Sequence, residues 1–306
     1  MMNKGKRKKV IERFYGRKTL GAKTVYRLVR RSVKQNKPIS VIRLGDVMAK
    51  LLARHDVDSL NKVAPFLGIR LPPSPELLDH LDRAVHASDI VGLSHYRESR
   101  KLIKMYMEMS GWKPRKIADS FINDQLYEKG YLHRLIHKCR VALVGRASAD
   151  AARQLKQRGF KVVLTVNLDH ADGLGEAMRR LRAHRHKYNL VLVGASVPGR
   201  ILCSRLKREL RVSAVEIGHM MDAFANPKEW KKPNNRQRFK HRFLRKNQKR
   251  SETASIVRLG GHIRIKKFVF SRIASRPGHP LSQTRNQKGR GHAPLIRKSL
   301  SVPVVR

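Results

Sequence analysis

The sequence predicts an α/β fold that is Rossmann-like, with a mostly parallel sheet and helices on both of its faces. Between residues 140 and 225, short apolar runs alternate with helical segments of roughly 10 to 15 residues, which is the pattern of βαβ units. The apolar runs are continuous, as expected for strands buried on both faces. A chain of 306 residues is long enough for one large domain or two small ones.

The first elements follow from periodicity and from helix-stop signals. Residues 1–17 form a basic leader with too little apolar content to fold alone, and are left unassigned or partly helical. Residues 19–34 predict an amphipathic helix that ends before Pro38. Further elements are expected in this order: a strand at 39–44, helices at 47–54, 60–67 and 76–86, the last capped by Ser74, a strand at 89–93, a helix at 97–110, and a helix that follows residues 116–123 and runs through Tyr127 to Ile136.

The second half alternates more regularly. Strands are predicted at 140–145, 161–166, 190–194 and 212–217, and helices at 148–158, 174–184, 199–210 and 219–225. This half therefore carries most of the evidence for right-handed βαβ crossovers.

Residues 227–306 differ in composition. They contain 23 Lys and Arg residues and only two acids, Glu229 and Glu252. So few apolar positions cannot offset the ordering entropy, and a basic, largely disordered C-terminal tail is predicted. Phenylalanines interleave with the bases, as in a nucleic-acid-binding arm: Phe239, Phe243, Phe268 and Phe270. With a net charge of +47, the chain should attract polyanions, including nucleic acid, whatever its fold.

The strand at 39–44 ends on Gly45-Asp46, directly before a helix. In open α/β sheets, ligands bind at the carboxyl edge of the strands. Asp46 therefore either caps the helix or faces a ligand, where its carboxylate can accept a ribose hydroxyl or bind a hard cation. Arg43 lies inside the same apolar strand, so its charge needs a partner, either a carboxylate or a ligand phosphate.

Two later turns have features of phosphate sites. Gly145 and Arg146 close one strand and open a helix, where backbone N–H groups and the helix dipole favour an anion. Ser196 lies in a second small-residue turn, Gly194–Gly199, which is either ligand-facing or simply a tight connection.

Polar residues at two further junctions complete the candidates. Asp119 and Asn123 lie four residues apart at the start of a helix and either cap it or reach a nucleotide. His219 follows the last strand and is a candidate general base on an acceptor hydroxyl, because an ordinary histidine pKa of about 6.5 suits proton transfer near neutrality. A structural role is the alternative for His219.

Six segments resemble, in the same order, the bacterial GT-D fold glycosyltransferases: residues 18–26, 40–46, 87–93, 119–123, 141–145 and 216–219. The resemblance covers about residues 10 to 226, and the domain is assigned to 18–226. It implies transfer of a hexose from a nucleotide sugar, UDP-linked, to a hydroxyl of a glycan or glycoprotein acceptor. It also implies catalytic roles for Asp46 and His219 and a divalent metal, Mn or Mg, at Asp46.

One position departs from the family pattern. The family has Gly-Asp-Gly-Glu after the strand, and this chain has Gly45-Asp46-Val47-Met48. The second acid, which would meet the metal and the diphosphate, is replaced by Met48. Two alternatives therefore stay open: a nucleotide-sugar-binding protein that has lost transfer activity, and a basic nucleic-acid-binding protein that uses its tail.

Other function classes have no sequence support. The two cysteines, Cys139 and Cys203, lack metal or redox spacing and predict reduced thiols. No Gly-x-Gly-x-x-Gly, Walker, zinc or Gly-x-Ser-x-Gly pattern occurs. No apolar run reaches the ~18 residues of a membrane span, and a cytoplasmic location is predicted.

Overall fold

The computed structural model describes residues 3–231 together with 235 and 238. Within them, eight strands form one sheet in the order β1-β4-β3-β2-β8-β7-β5-β6, and every neighbouring pair is parallel. The strands are β1 (Thr19–Leu20), β2 (Ser40–Leu44), β3 (Ile90–Leu93), β4 (Lys116–Asp119), β5 (Val141–Val144), β6 (Val162–Val166), β7 (Leu190–Val193) and β8 (Ser213–Glu216). The predicted α/β class with a parallel sheet is confirmed.

Helices cover both faces of the sheet. They are α1 (Lys4–Tyr15), α2 (Ala22–Lys34), α3 (Asp46–Leu52), α4 (Ala64–Leu67), α5 (Pro75–Ala87), α6 (Arg97–Ser110), α7 (Ile122–Glu128), α8 (Tyr131–Lys138), α9 (Ser148–Gln157), α10 (Leu174–Ala183), α11 (Ser196–Glu209), α12 (Met220–Ala225) and α13 (Pro227–Trp230). Short 3₁₀ helices lie at Asp58–Val63, Ala171–Gly173 and Arg185–Lys187.

Strand β2 illustrates why the apolar runs are continuous. All five of its residues are buried. Ile42 and Leu44 pack into the core on one face of the sheet, whereas Val41 packs into the core on the other face. Successive side chains of a strand point to opposite faces, so both faces must be apolar when helices cover both.

Two strands, β1 and β4, were not predicted from the sequence. Lys116–Asp119, expected only to lead into a helix, forms β4 between β1 and β3. It contains just two apolar residues between charged ends, and β1 is two residues long, so neither gives a periodic signal.

The single helix predicted through Tyr127 to Ile136 is two helices, because Gly130 adopts a left-handed φ of 70° between them.

Both ends of the predicted domain are extended by helix. In the leader, α1 buries Ile11 completely in the main core, and Arg7 pairs with Asp119 at the end of β4. At the other end, residues 227–230 of the predicted tail form α13. The rest of the predicted disordered tail, residues 232–306, lies outside the described residues except for Asn235 and Arg238.

The strand order places the expected ligand site. Strands β2 and β8 are neighbours at the centre of the sheet, and the chain crosses from one half to the other between β4 and β5. Such a switch point opens a crevice at the carboxyl ends of the central strands. Among the described helices, none is both long and apolar enough to cross a membrane.

Candidate functional site

A cavity of about 320 Å³ lies at the carboxyl edge of the sheet. Residues that follow seven of the strands line it, in agreement with the edge predicted for a ligand. They include Gly45 and Asp46 after β2, Ser94 and Tyr96 after β3, Ser120 and Phe121 after β4, Arg146 after β5, Leu168 and Asp169 after β6, Ser196 after β7, and His219 and Asp222 after β8.

Arg43 is fixed beneath this cavity by four hydrogen bonds. Its Nε and Nη2 donate to the two carboxylate oxygens of Glu216 at 2.6 and 2.9 Å. Its Nη1 donates to the Ser120 carbonyl at 3.1 Å and to Asn123 Oδ1 at 3.0 Å. Of the two partners predicted for Arg43, the structure therefore contains the carboxylate. Asn123 Nδ2 donates in turn to the Ile217 carbonyl at 2.9 Å, which ties α7 to the end of β8.

Arg200 is a second buried arginine in this network, and the sequence analysis missed it. Its Nε donates to the Arg43 carbonyl at 3.0 Å, and its Nη2 lies 3.8 Å from Glu216 Oε1. Burial alone would raise the pKa of Glu216, but Arg200 and Arg43 together hold that pKa below its usual value. One ionised carboxylate thus serves two guanidinium groups. We call Arg43, Asn123, Arg200 and Glu216 the floor network.

Asp46 does not cap its helix. Gly45 occupies the N-cap position of α3, and Asp46 is the first helical residue, with an exposed side chain on the cavity. Within the described residues, no hydrogen bond or ion pair holds its carboxylate. Met48, two residues on, is 1% exposed and packs in the same core as Leu44. Asp46 is therefore available to a ligand, whereas the side chain at position 48 is largely committed to the core.

His219 lies at the end of β8 beside α7. Its Nε2 is 3.0 Å from Asp124 Oδ1, and its ring stacks on Trp230 with the centroids 5.5 Å apart. Burial, with the positive charge of Arg43, lowers the pKa of His219 to about 3. The imidazole is therefore neutral at pH 7, with its orientation fixed by Asp124.

A family model described as a GT-D fold-like domain matches residues 20–224. The chain belongs to the GT-D fold-like domain family. This match includes β1 to β8 almost completely, and it leaves α1 and α13 outside the family domain. The family predicted from the sequence motifs is confirmed.

Solved structures similar to this GT-D-like chain were also found. One is described as a new glycosyltransferase (DUF1792) from Streptococcus sanguinis; it is 14% identical, with 67% of this chain and 82% of that chain covered, at a TM-score of 0.46. Another is described as the domain of unknown function 1792 with a distinct glycosyltransferase fold; it is 15% identical, with 73% and 84% covered, at a TM-score of 0.49. No curated protein matches the chain.

The donor set of this GT-D-like domain does not fit a protein-held divalent metal. Among the described residues, no group of three or more His, Cys, Asp or Glu side chains is placed to hold an ion. Asp46 offers one carboxylate, and Met48 offers a thioether, which is a poor ligand for Mn²⁺ or Mg²⁺. The predicted metal at Asp46 stays a prediction, and no step below depends on it.

Three predicted site residues do not line the cavity of the GT-D-like domain. Asp119 accepts hydrogen bonds from Arg7 Nε at 2.9 Å, Gln125 Nε2 at 3.1 Å and the Phe121 N–H at 3.0 Å. Asn123 is completely buried in the floor network. Gly145 packs against the backbone of Gly194, whose carbonyl oxygen would lie 2.5 Å from an added Cβ. Their place in the fold is structural, and direct contact with a nucleotide stays a prediction.

Arg146 and Ser196, one from each of the two turns predicted as phosphate sites, do line the cavity. Ser196 is the first residue of α11 and has a φ of 46°, a left-handed conformation that is costly for serine. Arg146 lies over the Phe66 ring at 4.4 Å and donates to the Phe66 carbonyl at 3.4 Å.

Asp222 is a further residue that the sequence analysis did not select. It lies in the first turn of α12 and lines the cavity, and its carboxylate makes no hydrogen bond within the described part of the chain. Burial raises its pKa, against the opposing charge of Arg146. The signal for it in the sequence was its spacing, three residues after His219 and just beyond a strand.

The low pKa of His219 predicts a measurable pH dependence of stability. In the unfolded chain, His219 is protonated below its ordinary pKa of about 6.5, whereas in the folded protein it stays neutral down to about pH 3. Stability should therefore fall as the pH falls through this window, by up to about 1.4 kcal/mol per pH unit from this residue. Urea unfolding of the wild type and His219→Gln at pH 7, 6 and 5 tests this. Equal slopes in both proteins would contradict it, since His95 and His133, whose pKa values are also lowered, are present in both.

Proposed function

We propose that this protein is a glycosyltransferase that moves a hexose from a UDP-sugar to an acceptor hydroxyl of a glycan or glycoprotein. The observation that carries the proposal is the cavity at the switch point of a GT-D-like sheet, with Asp46 on its wall and no hydrogen bond or ion pair to its carboxylate within the described residues. A cavity of about 320 Å³ is within the range of small-ligand sites. The aromatic side chains of Phe66, Tyr96 and Phe121 give it surfaces that can pack against a base or a sugar ring.

In the proposed reaction, the acceptor oxygen bonds to the anomeric carbon, the bond from that carbon to the UDP oxygen breaks, and UDP leaves. The hydroxyl proton must pass to a base. A neutral imidazole with a pKa of about 3 is a weak base, so we assign proton acceptance to Asp222, whose pKa is raised. His219, held by Asp124, then serves as a fixed hydrogen-bonding group. We assign Asp46 to the binding of the UDP-sugar donor.

One observation favours a second candidate, a protein that binds the nucleotide sugar without transfer. Met48 occupies the position at which the family pattern has a glutamate, and it is buried. Release of UDP from a UDP-sugar separates the two candidates, because a binding protein would bind the donor and release none. The nucleic-acid alternative rests on the basic tail predicted at residues 227–306 and stays a prediction.

We expect Asp46→Ala to weaken UDP binding about 10-fold to 100-fold, because a hydrogen bond to a charged group contributes roughly 1.5–3 kcal/mol. Titration calorimetry of the full chain with UDP and with UDP-glucose, with and without Mn²⁺, measures this. Asp150→Ala is the matched control, since Asp150 also lies in the first turn of a helix that follows a strand but does not line the cavity.

The charge of +47 requires a control for unspecific anion binding. ADP, titrated at the same salt concentration, measures that background. If Asp46→Ala and Asp150→Ala bind UDP equally well, or if ADP binds as tightly as UDP to all three proteins, the proposed donor site is wrong.

A further inference from the structure

We propose that Arg200 and the first turn of α11 form an anion site that holds the phosphates of the donor, so that a buried arginine supplies the positive charge expected of a divalent metal. The identity of the anion as a nucleotide diphosphate rests on the proposed function. The anion site itself rests on the geometry of the floor network.

Arg200 has hydrogen-bonding capacity that the described residues do not use. Its side chain is 11% exposed and lines the cavity. Its Nε is bonded to the Arg43 carbonyl, but its Nη2 is 3.8 Å from Glu216, beyond hydrogen-bonding distance. No other hydrogen bond within the described part of the chain engages its terminal nitrogens. A buried guanidinium in this state lacks acceptors, which an anionic ligand would provide.

The charges of the floor network do not cancel. Glu216 is bound in bidentate fashion by Arg43, at 2.6 and 2.9 Å, so this pair is neutral. Arg200, whose Nη2 lies 3.8 Å from the same carboxylate, then leaves the floor network with one positive charge in excess. Asp46 acts on Arg200 through its charge, but within the described residues it forms no ion pair or hydrogen bond with it. The terminal nitrogens of Arg200 on the cavity wall therefore retain donors that an anion can engage.

The start of α11 adds backbone donors beside this cation. The helix has 14 residues, and no side chain caps its first turn, which leaves N–H groups without intrahelical partners. Ser196 and Arg200 are four residues apart, so they lie on the same side of the helix, and both line the cavity. The backbone of Ser196 is held in its left-handed conformation at this point. The dipole, the N–H groups and the guanidinium are thus directed to one region.

Met48 is consistent with this arrangement. It lies on the same cavity as Arg200, and it brings no charge. A glutamate at this position would offset the positive charge of Arg200 and create a preference for a cation. The methionine at the position of the family's acid and the buried arginine nearby therefore act in the same direction.

The test uses inorganic pyrophosphate and UDP as probes of the full chain, each titrated in EDTA and in Mn²⁺. We expect wild type to bind both in EDTA, and Arg200→Gln to lose about 10-fold to 100-fold in affinity for both. Arg205→Gln is the matched control, because Arg205 lies on the same helix and pairs with Glu209 away from the cavity. It should bind as wild type does. Retained thermal melting shows that each variant is folded.

Two further variants keep the proposal testable if Arg200→Gln is unstable. Arg200→Lys should retain part of the affinity, because it keeps the charge and loses the planar fork. Val47→Gly with Met48→Glu should weaken binding in EDTA and make it dependent on Mn²⁺. Binding of UDP that needs Mn²⁺ in wild type and is unchanged in Arg200→Gln would overturn the anion site and leave the donor site standing. Binding of pyrophosphate that depends on Arg200, with no preference for UDP over ADP, would support the anion site and count against the proposed function.

Discussion

Replacement of Glu216 by glutamine is expected to lower the free energy of unfolding by about 3–5 kcal/mol. Glu216 is 1% exposed and is the only carboxylate that forms an ion pair with Arg43 or Arg200 among the described residues. Glutamine keeps the size of the side chain but removes its charge. Two buried guanidinium groups would then share one neutral amide, and one of the hydrogen bonds of Arg43 would face an N–H₂ group instead of an acceptor.

Urea unfolding followed by circular dichroism measures this loss, and Glu209→Gln is the matched control. Glu209 also pairs with more than one arginine, Arg205 at 2.8 Å, Arg208 at 3.3 Å and Arg182 at 3.5 Å, but its side chain is 24% exposed. Ion pairs so close to water contribute about 0–1 kcal/mol each, and the arginines left behind in Glu209→Gln stay solvated. Comparable losses in the two variants would show that the floor network is not the buried, undercompensated cluster described above.

The cavity edge could be predicted because it depends on local pattern alone. Asp46, Arg146, Ser196 and His219 each follow a buried strand, and parallel strands bring their carboxyl ends to one edge. Any polar residue directly after such a strand is therefore a candidate for the site. The continuous apolar runs that defined the strands required no knowledge of the packing.

Residues whose role depends on distant partners could not be predicted in this way. Asp119 also lies at the carboxyl end of a strand, yet its carboxylate accepts a hydrogen bond from Arg7, which is 112 residues away in the sequence. Arg200 lies inside a helix, where an arginine is normally solvated, and it is buried where α11 packs against the sheet. The sequence of α11 does not reveal this burial, because the spacing of its charged residues would be the same for a buried and for a solvated arginine.

The helix α13 shows a similar limit. Residues 227–230 were predicted to belong to the disordered tail, because the sequence that follows them is basic and poor in apolar residues. The helix Pro227–Trp230 itself contains one aromatic residue. Trp230 stacks on His219, and this contact joins the segment after the family domain to the candidate site. Such a contact depends on where β8 ends in space, which the local sequence does not specify.

Gly218 is the position where the backbone and the floor network meet most closely. It adopts a left-handed φ of 49°, and an added Cβ would lie 2.3 Å from Arg43 Nη2 and 3.0 Å from Glu216 Oε1. The end of an arginine side chain is usually free to move aside. Here four hydrogen bonds hold it, so it cannot move without breaking the pair with Glu216.

Gly218→Ala is therefore expected to cost more than backbone strain alone. Gly159→Ala is the matched control, because Gly159 has a φ of 77° and nothing within 4 Å of the added Cβ. Strain of the left-handed backbone costs about 1–2 kcal/mol in both variants. In Gly218→Ala, disruption of the buried ion pair should bring the total loss to about 3–5 kcal/mol in urea unfolding. If both variants lose the same free energy, Arg43 can move aside freely, and the rigidity attributed to the floor network, on which the placement of Arg200 depends, is absent.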